Sequence, residues 1–248
     1  MWIFPLGAGV IALIFGALLV RGFVQRHRAY QLLWAIALLM YAVASLALFL
    51  GVIDGWTKPE YRMYWLFGAI LNVPFLAMGE LELLVRERWV KNALLLLLLF
   101  ATAFAAARVR TATVQATALV KDLPLGKDAF STDPFPYRLS QLYAYPAYAV
   151  LLLGCAWSIL KMRAVPALRD RMLGTTLIAG GATIVAIGSG VGAGLDVVPV
   201  FSIGLLAGIA VMFWGFLRAS RPAPRPQPAP APTSEPAGSP SERAGSAS

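Results

Sequence analysis

The sequence predicts an all-α, polytopic membrane protein: a bundle of seven transmembrane helices, N-terminus outside and C-terminus in the cytoplasm. Three observations lead there. A composition 59% hydrophobic and 13% charged, with mean hydropathy +0.71, leaves too little polar surface to cover a soluble domain of 248 residues. Seven segments approach the ~20 apolar residues that a helix needs to cross a ~30 Å hydrocarbon layer, namely 3–20, 32–52, 63–85, 90–107, 141–161, 172–194 and 197–218. The basic residues are also distributed unevenly. Arg21, Arg26 and Arg28 follow span 1; Arg86, Arg88 and Lys91 follow span 3; Lys161, Arg163, Arg169 and Arg171 follow span 5; Arg218, Arg221, Arg225 and Arg243 follow span 7. Most of the 21 Lys and Arg thus fall on one side, which the positive-inside rule makes cytoplasmic.

The same asymmetry accounts for the net charge of +9: basic loops face an anionic leaflet, and nucleic acid is not an expected partner. The lipid bilayer is. A membrane-protein partner or a second copy of the chain stays open. One cysteine excludes an intrachain disulfide, and Cys155, inside apolar span 5, is expected to act as a small buried hydrophobe.

Span 1 has no basic residues before it and no small-x-small cleavage site after it, so it is expected to be a retained helix and not a signal peptide. The link to span 2 holds the single histidine, His27, flanked by arginines and expected to be solvated. Span 2 is a run of Leu, Ala and aromatics. The turn Asp54-Gly55-Trp56 then leads to Tyr61, Tyr64 and Trp65, expected as an interfacial aromatic belt.

Span 3 carries most of the polar oddities. At 100° per residue Tyr64, Gly68, Asn72, Phe75, Gly79 and Glu82 share one face, which must either line a cavity or pack on other helices. Pro74 lacks an N–H, so a kink is expected, with Asn72 or a neighbouring helix satisfying the carbonyl of Ile70. Glu80 and Glu82 point to nearly opposite sides. Glu82 is expected to pair with Arg86 at i,i+4, while Glu80 has no such partner and must reach a loop arginine, snorkel or be protonated. Asn72, Pro74, Glu80 and Glu82 are therefore the candidate functional residues.

Span 4 is almost pure Leu, Ala and Phe and should face lipid. Residues 108–140 form the long outer loop, with three prolines and with carboxylates (Asp122, Asp128, Asp133) too scattered for a calcium loop. A solvated connector is expected, with a lid or sensing element as the alternative. Span 5 opens on Tyr143, Tyr145, Pro146 and Tyr148. In span 6, Ala182, Ala186, Gly190 and Gly194 recur every four residues and Gly188–Gly192 is a GxxxG; span 7 answers with Gly204 and Gly208. Gly188, Gly192, Gly204 and Gly208 are the expected packing ridge of a tight hairpin around Asp196. The stretch 221–248 alternates proline with alanine and is expected to be a disordered cytoplasmic tail.

The stretches YRMYWLFGAILNVPFLAMGELELL, RHRAYQLLWAIAL and GIAVMFWGFLRAS resemble an uncharacterised family of bacterial seven-span membrane proteins of the actinobacterial type. The resemblance covers the spans and not the tail, and it implies no established activity. It also implies Thr and Tyr where Glu80 and Glu82 stand here, which would make these carboxylates a feature of this chain.

No span contains a histidine, so haem ligation, a His-based metal site and Ser-His or Cys-His couples lack their residues there; span 7 has no lysine for a retinal Schiff base. No cofactor and no enzymatic activity are expected. Two functions remain. One is a sensor, scaffold or assembly partner using its outer loop or basic inner face. The other is a small-solute transporter or channel, built as a parallel repeat of spans 1–3 and 5–7 around span 4, with a polar path joining Asn72 to Glu80.

Overall fold

The computed structural model describes residues 3–120, 123–194 and 198–220, the side chains of 191–194 and 198 excepted. The expected tail and both Asp122 and Asp196 lie outside them. Among the described residues every regular element is helical, and seven helices are long and apolar enough to cross a membrane. Helix 1 is Ile3–Arg26, helix 2 Ala29–Asp54, helix 3 Lys58–Leu84, helix 4 Arg88–Thr111, helix 5 Phe135–Met162, helix 6 Arg169–Gly194 and helix 7 Val198–Ala219.

Their packing has a simple order. Helix 1 touches 2, 2 touches 3, 3 touches 5, 5 touches 6, 6 touches 7, and 7 returns to 1. This makes a closed ring of six helices. Helix 4 stands outside it against 3 and 5, and most of its side chains are exposed, as its all-round apolar sequence predicts. On the opposite side Phe15 of helix 1 packs between Phe213 and Phe216 of helix 7, with ring centroids 5.3 and 4.9 Å away.

Short links explain the alternation of direction. Helices 1 and 2 are joined through His27, whose φ of 49° lies in the left-handed region, and helices 2 and 3 turn at Gly55, φ 84°. Helix 3 then starts on a capping box: Thr57 and Glu60 exchange side-chain and backbone hydrogen bonds, with Pro59 in the first turn. It therefore begins five residues before the predicted span.

Helix 3 is not regular. Between Trp65 and Leu71 it is π-helical, and the Asn72 N–H donates to Phe67 O, five residues back. The expected bend at Pro74 thus takes the form of a widened turn just upstream of it. The Asn72 side chain does not repair the carbonyl of Ile70; it reaches sideways to another helix.

The long connection between helices 4 and 5 is the largest departure from expectation. Helix 4 ends at Thr111, a 3₁₀ turn follows at Ala116–Val120, a short helix at Gly126–Ala129, and helix 5 starts at Phe135, ahead of the predicted 141. The segment is no solvated connector. Val114, Leu123, Ala129 and Phe130 are buried, and the segment folds back as a cap across one end of the ring. The reason is aromatic. Tyr61 and Trp65 meet Phe130 at 5.7 and 5.6 Å, and Trp65 donates from Nε1 to Pro136 O at 3.2 Å. Arg62 ties the cap down further by donating to Ala112 O at 2.8 Å. Tyr61 and Trp65 are accordingly buried core residues and not interfacial anchors.

Candidate functional site

The cap roofs a cavity of about 660 Å³, within the range typical of small-molecule pockets. Helices 2, 3, 5, 6 and 7 supply its walls, and residues 123–127 its roof. The wall is mainly aliphatic and aromatic, interrupted by a few polar groups. Asn72 is the deepest of these on helix 3. It is buried, donates from Nδ2 to Ala37 O of helix 2 at 2.7 Å, and lines the cavity. Tyr41 spends its hydroxyl on Leu205 O at 2.8 Å, and Tyr148 donates to Thr183 Oγ1 at 2.9 Å. These two bonds tie helix 2 to 7 and helix 5 to 6, so the wall residues also hold the ring shut.

The cavity stops before the other end of the bundle. Its lowest lining residues are Leu76, Leu151, Ile209 and Met212. Beyond them lies Glu80, 4% exposed and absent from the cavity wall. Its Oε1 accepts a long hydrogen bond of 3.4 Å from Ser158 of helix 5. Among the described residues no loop arginine reaches it, and it stays buried. Gly154 makes room for it, because a Cβ there would come within 2.5 Å of Glu80 Cγ and 2.9 Å of Leu84 Cδ1. Among the described residues Asn72 lines the cavity and Glu80 lies outside it, with the apolar Leu76, Leu151, Ile209 and Met212 at the cavity's near edge.

Glu82 is corrected. Helix 3 ends at Leu84, with Val85 already extended, so the i,i+4 geometry to Arg86 never forms. Instead Lys91 of helix 4 pairs with Glu82 Oε2 at 3.1 Å and donates to its carbonyl at 2.8 Å, stapling the turn between helices 3 and 4. Pro74 is half-buried beside the cavity-lining Val73 and contributes no wall of its own. The shared face of helix 3 consequently divides: Tyr64, Gly68 and Asn72 line the cavity, while Gly79 packs on the Trp34 indole, which donates to Leu76 O at 3.0 Å.

The glycine ridge is partly as expected. Gly188 and Gly204 face each other so closely that a Cβ on either would lie within 2.8 Å of the other's Cα, and Gly208 meets Gly181. Gly192 is helical, but its surroundings lie outside the described side chains. The repeat Ala182, Ala186, Gly190 does not serve this contact: all three line the cavity, and Gly190 has open space where a Cβ would point. Helix 6 meets helix 7 through Gly174, Gly181 and Gly188, one residue in seven, against Gly215, Gly208 and Gly204. A heptad spacing drifts only about 20° per repeat around an α-helix, so over three repeats these positions stay on the side facing one partner, and the sequence displays the spacing.

Among the described residues no three His, Cys, Asp or Glu lie close enough to hold a metal ion. Comparison with protein-family profiles, curated proteins and solved structures finds no match.

Proposed function

We propose that this protein is a non-enzymatic sensor or scaffold of a bacterial cytoplasmic membrane, with its capped end outside and its basic end in the cytoplasm. The observation that carries the reading is the cavity. It is roofed by a folded cap, walled by five helices and floored by apolar side chains. Such a chamber suits holding a ligand better than passing one through, because solute crossing needs a polar route to the far side. The cap couples directly to the wall, since Trp65 lines the cavity and packs against Phe130 of the cap. A bound ligand can therefore change the outer surface that a partner meets. The opposite end offers Arg26, Arg28, Arg86 and Arg169 as exposed cations for anionic lipid or an acidic partner.

A small-solute transporter is the second reading, favoured by the ring order 1-2-3-5-6-7 with helix 4 outside, the order a repeated three-helix unit would produce. Purification from native membranes in mild detergent, with mass spectrometry of what accompanies the protein, separates the two. The sensor or scaffold predicts a recurring partner or ligand; repeated recovery of the chain alone counts against it. Transport predicts pH-dependent flux in liposomes that Glu80→Gln abolishes. Orientation is tested by labelling single cysteines in a Cys155→Ala background: Arg28→Cys and Arg169→Cys must react only from the cytoplasmic side.

A further inference from the structure

Most of the cavity wall is buried or half-buried, and the exposed positions cluster. Tyr145 of helix 5 is 67% exposed, and Ala186 and Gly190 of helix 6 and Lys127 of the cap are exposed as well, although all four line the same chamber. They lie on the flank between helices 5 and 6, above the Tyr148–Thr183 hydrogen bond and beside the cap, where the chamber wall reaches the surface. On the opposite side of the roof Trp65 lies so close over Gly126 that a Cβ there would sit within its ring. The exposed part of the chamber wall is therefore lateral, on a flank of the bundle between two apolar helices.

A lateral flank of a membrane-spanning bundle meets acyl chains. Among the described residues the chamber behind it is lined chiefly by carbon and holds no charged side chain below Lys127. At the upper edge of this flank Lys127 has no ion-pair partner among the described residues, and its height is that of the cap, where headgroups would lie. We infer that the cavity binds the hydrocarbon chain of an anionic long-chain amphiphile, which enters between helices 5 and 6 and leaves its head beside Lys127. This rests on the sensor reading and supplies its ligand class. Asn72 and the open position at Gly190 acquire a use: a polar contact for a substituent on the chain, and an unobstructed doorway.

The test uses the full chain in phosphatidylcholine nanodiscs carrying either a diazirine-bearing fatty acid or phosphatidylglycerol with the diazirine on its acyl chain. After irradiation, crosslinked peptides are mapped. The inference expects labelling of wall residues such as Leu76, Leu205 and Met212. Gly190→Trp should reduce that labelling to the exterior background with unchanged thermal unfolding, because nothing lies within 4 Å of a Cβ there. Lys127→Ala should weaken it about fivefold, the effect of one lysine on an anionic head. Labelling by only one probe assigns the source as free fatty acid or membrane phospholipid. Labelling confined to Leu97, Phe100 and Trp214, which face outward, overturns the site. Wall labelling indifferent to Gly190→Trp overturns the route, and indifference to Lys127→Ala overturns the anionic head. A chain that takes up the probe but always purifies without protein partners would instead remove the scaffold reading and leave the ligand class standing.

Discussion

Asn72 and Glu80 stand eight residues apart on one helix, about 12 Å along its axis, and both are buried. Their surroundings are opposite. Around Asn72 the bundle is hollow, and the amide is anchored to the Ala37 carbonyl where it lines the cavity. Around Glu80 the bundle is solid, and the carboxyl fits only because helix 5 presents Gly154 and a serine hydroxyl. Polar residues in lipid invite a functional interpretation wherever they occur. The difference teaches that the space beside the residue is what decides: Asn72 has room to meet a ligand, and Glu80 in this conformation has none.

The comparison can be broken at its supports. Trp65→Ala removes the indole that joins cap to wall and should cost about 4 kcal/mol, read as a loss of unfolding free energy in detergent and as protease access to the cap. If stability is unchanged, the cap does not roof the hollow half. Gly154→Leu forces bulk into the solid half beside Glu80 and should cost about 3 kcal/mol by the same measurement. Asn72→Leu deletes the bond to Ala37 O and should cost about 1 kcal/mol, the scale of interhelical hydrogen bonds in membranes. Gly190→Leu projects into open space and should stay within about 0.5 kcal/mol of the parent. A Gly190 variant as damaging as the Gly154 one would abolish the hollow–solid distinction.

Much of the architecture was legible because apolar runs of spanning length are a strong local signal. The seven segments correspond to seven helices, with bounds displaced where capping or cap packing intervened. Helix 3 starts early on a T-x-x-E pattern at Thr57–Glu60, a start signal outside the apolar run that marks the span. The cap was not legible, because its stability comes from Phe130 meeting Tyr61 and Trp65 some 65 to 69 positions away, and prolines in a loop carry no trace of such contacts. Glu82 was assigned the wrong cation because its helix ends two residues too soon. The glycine pattern misled by abundance: two spacings coexist on helix 6, one facing helix 7 and the other the chamber. Asn72 alone among the proposed residues was both noticed from sequence and placed at the cavity.

The widened turn at Trp65–Leu71 sets the phase of everything after it. One surplus residue there sets the rest of helix 3 back by about 100° relative to an uninterrupted spiral. Excising a single position from that turn would leave the helix intact yet swing Asn72 out of the chamber wall and Glu80 away from Ser158 together. The azimuth of both halves is thus governed by one insertion, and a one-codon deletion there is a more thorough lesion than any side-chain exchange further down.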